Sequence, residues 1–220
     1  MTVDGFALAH LRRSPLGHLA DRFAASSVPG PGGVRLRELP FLTQLNLRLD
    51  PTGPAAARAA EALGAPLPTG ACQAAGTGAL RVLRLGPDEW LVVGPDGAAP
   101  TLGDTLRQAL GEEPGSVVDV SANRTTLELA GPSARPVLEQ GCSLDLHPRA
   151  FGPGRCAQTT VAKVQVVLDQ LDDEPCYRLL VRDSFAQYLA DWLLDAAGES
   201  QAPLLASQSA GQSGGNAMKR

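Results

Sequence analysis

Phe41-Leu42-Thr43-Gln44-Leu45-Asn46-Leu47-Arg48-Leu49 decides the fold class. Phe41, Thr43, Leu45, Leu47 and Leu49 alternate with Gln44, Asn46 and Arg48, the period of a strand with one buried face. An alanine-rich stretch, 55–63, follows as a short helix closed by Gly64. Residues 80–85 and 89–93 then flank Gly86-Pro87-Asp88, a hairpin with turn chemistry in its loop. Thr101 reads as the N-cap of the next helix, with Asp104 three residues on and Leu102, Leu106, Ala109 and Leu110 as its apolar stripe.

The same order returns downstream. Residues 117–130 are extended, and their alternation changes parity around 121–124, which predicts a bulge. Gly131-Pro132 opens a helix whose Ala134, Val137 and Leu138 face the core and which ends at Gly141. Thr160, Ala162, Val164, Val166 and Leu168 alternate as one long strand, and a turn near 171–174 leads to Tyr177, Leu179 and Val181. Ser184 and Gln187 have capping-box spacing, with Phe185, Leu189, Trp192 and Leu193 as the apolar face of a last helix. The fold class is therefore α+β: duplicated βαββα (ferredoxin-like) units, 34–112 and 117–197, with antiparallel sheets and helices packed on one face.

Two terminal segments flank this body. Residues 1–33 form an N-terminal arm that ends in Ser26-Ser27-Val28-Pro29-Gly30-Pro31-Gly32-Gly33, a flexible turn. Residues 198–220 are rich in Ser, Gln, Gly and Ala and are expected to be a disordered tail. The arm interleaves Phe6, Leu8, Leu11, Leu16, Leu19 and Phe23 with His10, Arg12, Arg13 and Arg22. Phe6, Leu11, Arg12, Arg13, Leu16 and Leu19 are the candidate partner interface, because so much apolar surface left in water favours aggregation. The alternative is that the arm folds back over its own sheet.

Chemistry-bearing motifs are scarce. A net charge of −4 in 220 residues argues against nucleic-acid binding. No apolar run reaches the roughly 18–20 residues that span a bilayer, and no secretory leader is evident, so the expected location is cytoplasmic. Gly76-Thr77-Gly78 lacks the third glycine of a dinucleotide fingerprint and follows a proline-rich stretch instead of a strand. His147, near Asp145 and between Cys142 and Cys156, invites a zinc reading, but no two cysteines have knuckle spacing, so a loop-fixing role is expected. Cys142 follows a helix C-terminus, where a thiolate is disfavoured. The four cysteines read as small core residues, Asp172-Asp173-Glu174 as a solvated turn, and Trp90 and Trp192 as core.

Asp119-Val120-Ser121 and Leu129-Ala130-Gly131-Pro132-Ser133-Ala134 resemble the glycine-cleavage T-protein family. Three longer stretches, 141–151, 154–159 and 181–193, with Arg13-Ser14-Pro15-Leu16 in the arm, resemble the gamma subunit of heterotetrameric sarcosine oxidase. That resemblance implies a single T-protein-like domain over 34–197 and an enzyme complex that oxidatively demethylates sarcosine to glycine. The products are hydrogen peroxide and either formaldehyde or methylenetetrahydrofolate. It also implies alpha, beta and delta partner subunits that hold FAD, FMN, NAD, tetrahydrofolate and zinc, while this chain holds no cofactor, no metal and no catalytic residue. The alternative is a stand-alone folate-binding or T-protein-like accessory protein.

Overall fold

The structure, a computed structural model, describes residues 11–76 and 79–213. A 3-10 turn, Gly17–Leu19, leads into α1 (Ala20–Ser26), and then β1 (Arg35–Leu39), β2 (Thr43–Leu49) and α2 (Pro54–Leu63). β3 (Ala74–Ala75), β4 (Arg81–Gly86), β5 (Glu89–Gly94) and α3 (Ala99–Leu110) complete the first half, and β6 (Gly115–Asp119) opens the second. The second half also holds β7 (Arg124–Ala130), α4 (Ala134–Glu139), β8 (Cys156–Val161), β9 (Val164–Asp172), β10 (Cys176–Arg182) and α5 (Asp183–Ser213).

The strands form two five-stranded sheets, β3-β4-β5-β2-β6 and β1-β7-β10-β9-β8, and every pairing is antiparallel. Read from opposite ends, the two orders match element for element, so the duplicated α+β fold is present. The units are not contiguous, however. β1 pairs with β7 in the second sheet, and β6 pairs with β2 in the first. Each half thus lends its leading strand to the other half's sheet, which corrects a division at 112–117.

The parity change at 121–124 has the same origin. It is a corner between sheets and not a bulge. Val117 faces the first core and Leu127 and Leu129 the second, so no single alternation can serve both. Gln44 on β2 fastens this corner, its carbonyl accepting from Val120 N at 2.9 Å and its amide donating to Ser121 Oγ at 2.9 Å.

Each sheet turns one face to helices. Leu45, Leu47, Val82, Trp90, Val92 and Val117 pack beneath α2 and α3, and Trp90 Nε1 donates to Pro68 O at 2.9 Å. That bond lets the fully buried indole contribute its large apolar area without an unpaired donor. Leu36, Leu127, Leu129, Leu168, Tyr177 and Leu179 form the second core beneath α1, α4 and α5. The inner faces of the sheets meet through Leu83, Leu91, Val93, Cys156, Val167 and Leu180. The body is therefore four layers, with helices outside and sheets inside.

Helix ends follow local chemistry. α2 starts at Pro54 and stops at Gly64, whose φ of 61° is the left-handed conformation glycine adopts without strain. Arg58 on α2 donates to the carbonyls of Ala109 and Leu110 at 2.7 and 3.1 Å, satisfying the end of α3. α3 begins at Ala99, so Thr101 lies inside it and is not its cap; Pro100, in the first turn, sets the start. Likewise α4 begins after Ser133, past the expected Pro132. Gly131 has φ of 117°, and a Cβ there would meet Gly33 O at 2.7 Å.

Three strand and helix expectations change further. The long strand through Thr160–Leu168 is a hairpin, β8–β9, which reverses at Ala162-Lys163 with Val161 paired to Val164. Ala162 adopts φ of 53°, a conformation that pattern alone conceals. In α5 the buried stripe is Ala186, Leu189, Ala190, Leu193, Ala196 and Ala197, while Phe185 is 50% exposed. α5 also runs to Ser213, so the disorder expected from residue 198 does not hold through that point. Residues such as Ala, Leu and Gln in this stretch have high helix propensity. Residues 214–220 lie outside those described. Among the described residues no helix is long and apolar enough to cross a membrane.

Candidate functional site

Of the six arm residues expected at a partner interface, five are described, and the structure separates three of these from two. Leu16 and Leu19 are 0% and 3% exposed and join Phe23 in the second core. The arm folds back over its own sheet and α5, which removes both leucines from any external interface. Ser14 and Thr125 hold Glu38 beneath it, and Arg22 pairs with Asp191 on α5 at 2.9 Å. Leu11 is exposed, Arg13 is exposed, and Arg12 donates to Asp96 at 2.8 Å while its guanidinium lies 4.1 Å over the Phe41 ring. Phe6, with Leu8 and His10, lies outside the described residues.

The inner seam carries a deeply buried ion pair. Arg81 on β4 donates through Nε to Asp169 Oδ2 at 3.0 Å and through Nη2 to Asp169 Oδ1, and its Nη1 reaches Gly76 O at 3.0 Å. Beside it, Cys156 is buried with its thiol on Gln73 O at 3.2 Å, and burial pushes its pKa up to about 12. Such a thiol is a poor nucleophile at neutral pH. Cys72 is exposed and Cys142 and Cys176 are half-buried, so the four cysteines are not uniformly core.

The remaining sequence candidates fall apart in space. His147 is exposed; its Nδ1 accepts from Arg149 N at 3.2 Å, and its carbonyl accepts from Ala150 and Phe151. That geometry fixes a loop. Among the described residues no three His, Cys, Asp or Glu side chains gather at metal-binding distance. A cleft of about 790 Å3 opens between the Pro/Gly turn and the ends of β7 and β10. Asp172, Glu174 and Arg35 line it, two carboxylates and one guanidinium. Thr77 and Gly78 of the glycine loop lie outside the described residues.

Two surface features emerge that sequence reading missed. Phe185 and Tyr188 on α5 are 50% and 44% exposed one turn apart, and the half-buried Trp192 continues their ridge to Gly141. The signal was the Ala/Leu stripe itself: once 186, 189, 190 and 193 face inward, 185 and 188 must face out. The second feature is a polar row across the end of the second sheet's inner face. Arg124 on β7 and Arg182 on β10 are directly opposite partners. With Gln158, Thr160 and Gln165 they line a cleft of about 230 Å3.

Comparison with known proteins follows the fold. The family model described as sarcosine oxidase, gamma subunit family, matches residues 48–199. A sarcosine oxidase subunit gamma from Corynebacterium sp. (strain U-96) is 46% identical over 196 residues, 87% of this chain and 93% of that protein. One from Arthrobacter sp. is 44% identical over 197 residues, 89% and 95% of the two chains. A chain in the solved heterotetrameric sarcosine oxidase from Corynebacterium sp. U-96, in complex with pyrrole 2-carboxylate, superposes with a TM-score of 0.80 at 45% identity. That match covers 86% of this chain and 96% of the other. Glycine cleavage system aminomethyltransferase T from Bartonella henselae shares the fold, with a TM-score of 0.59 at 16% identity over 84% of this chain and 57% of that one.

Proposed function

From membership of the sarcosine oxidase gamma subunit family, to which this chain belongs, we propose that it is the assembly subunit of a heterotetrameric sarcosine oxidase. The complex demethylates sarcosine oxidatively to glycine, with hydrogen peroxide and formaldehyde or methylenetetrahydrofolate as products. Alpha, beta and delta subunits hold FAD, FMN, NAD, tetrahydrofolate and zinc, and this chain in the cytoplasm supplies surface, not catalytic groups. The observation that carries this reading is the likeness to a chain of a solved heterotetramer over nearly the full length of both. The exposed Phe185–Tyr188 ridge supports it, since aromatic side chains are enriched where protein interfaces form. The likeness to aminomethyltransferase T concerns fold alone.

Co-expression of the full chain with the alpha, beta and delta subunits tests the reading. Copurification in fixed stoichiometry, with the flavin absorbance absent from this chain when isolated, is the expected result. An isolated chain that retains flavin or stoichiometric zinc, or large subunits that assemble and turn over sarcosine equally well without it, would reject it.

A further inference from the structure

The row at the end of the second sheet presents an electrostatic problem that this chain leaves unsolved. Arg124 and Arg182 sit opposite each other on adjacent antiparallel strands, so their side chains share the inner face. Like charges directly opposite are unfavourable, and here one is half-buried. Burial pulls the Arg124 guanidinium down, Arg182 adds to that, and Glu89 opposes it. Glu89 is not free to neutralise the pair, because Arg48 and Asn46 already bond its two carboxylate oxygens at 2.9 and 2.7 Å. Among the described residues no carboxylate lies within ion-pairing distance of either guanidinium.

The neighbours of the pair are polar groups that can donate as well. One step beyond the Val181–Val166 pair, Gln165 on β9 follows Arg182 across the sheet, and Thr160 on β8 is paired with Gln165. The lateral order is therefore Arg, Arg, Gln, Thr, all lining one cleft. Toward the middle of the same face the row gives way to apolar Val167 and Leu180, where the opposing sheet closes over it. At about 230 Å3 the cleft is smaller than the roughly 300–1,000 Å3 that small-molecule cofactors occupy. It is large enough for one acidic side chain. A guanidinium matches a carboxylate bidentately, and arginines recur as anchors at the desolvated centre of protein interfaces.

We infer that the Arg124–Arg182 cleft is a docking socket for a carboxylate side chain of a partner subunit in the oxidase complex. The inference rests on the assembly role proposed above. The partner's aspartate or glutamate neutralises two cations at once, and the free chain tolerates their repulsion only because the socket opens to water. The residues are thus costly to the isolated chain and useful to the assembly.

The test co-expresses wild-type chain, R124A/R182A, R124K/R182K and R124E/R182E with the three other subunits, and measures copurification at 0.05 and 0.5 M salt. Melting of each isolated chain is followed in parallel, and phosphate and acetate are titrated calorimetrically into the isolated wild type. The expected result is at least tenfold less complex for R124A/R182A, none for the charge reversal, and partial recovery with lysine. The free R124A/R182A chain should melt no lower than wild type, whereas a structural pair would lower the midpoint. Three outcomes overturn the socket: R124A/R182A copurifying as wild type does at both salt concentrations, its free chain unfolding several degrees earlier, or phosphate binding the isolated chain below millimolar concentration while R124A/R182A still assembles. Failure of the wild type itself to copurify would instead reject the assembly role and the socket together.

Discussion

Arg81 and Asp169 join the two sheets by a two-pronged ion pair whose side chains are 8% and 2% exposed. Burial pushes the Asp169 carboxyl up while Arg81 pulls it down, so desolvation consumes much of the attraction between them. Asp169→Ala should therefore destabilise the isolated chain by about 3–5 kcal/mol, because it strands a buried guanidinium. R81M/D169L should recover most of that loss. Urea denaturation of the three proteins checks both; a double variant no more stable than Asp169→Ala would contradict this account.

Leu16 and Leu11 lie five residues apart in the arm and should behave oppositely. Leu16→Ala empties a site in the second core and is expected to cost about 2–5 kcal/mol. Leu11→Ala, at 61% exposed, should stay within about 0.5 kcal/mol of wild type. Thermal melts distinguish them. For the same reason, deletion of residues 1–28 should unfold the second sheet's outer layer, so it cannot serve as a clean probe of partner binding.

Ala162 reverses the β8–β9 hairpin at φ of 53°, a region where a Cβ costs roughly 1–2 kcal/mol. Ala162→Gly should raise stability by about 0.5–1 kcal/mol, the relief being partly offset by the larger entropy of the unfolded glycine chain. The hydrogen bond that its backbone N–H donates to Gly141 O at 2.8 Å does not involve the side chain and survives the change. A lower melting temperature for Ala162→Gly would contradict this account.

Thiol reactivity should follow burial. With pKa values pushed by burial to about 12 and about 11, Cys156 and Cys176 are almost wholly protonated at pH 8. Iodoacetamide at that pH should modify the exposed Cys72 first and leave Cys156 intact until denaturant is added. Peptide mass spectrometry reads the order directly; early modification of Cys156 would mean that the seam opens in the native state.

The layers and their duplication were legible because Leu45-x-Leu47-x-Leu49 and the Leu127–Leu129 alternation announce two half-buried sheets. Partner choice among strands was not. The period of a strand says which face is buried but not against which neighbour, so the exchange of β1 and β6 left only a parity slip at 121–124. Ala162 hid the hairpin since nothing about an alanine signals a left-handed turn. Arg124 and Arg182 lie 58 positions apart in sequence yet opposite one another in the sheet, a pairing that no local pattern marks. Leu16 and Leu19 read as interface residues because their amphipathic pattern is the same whether the surface that covers them is foreign or their own.

The exchange of leading strands has a consequence for origin and for folding order. Leu39 meets Thr126, and Leu45 meets Asp119, so neither sheet can reach its full width until chain separated by more than seventy residues has come together. Half of this molecule alone would carry a dangling strand and an unfilled sheet edge, and a second copy of that half could supply what each lacked. The architecture is what two intertwined copies of a shorter ancestral chain would leave behind once fused head to tail.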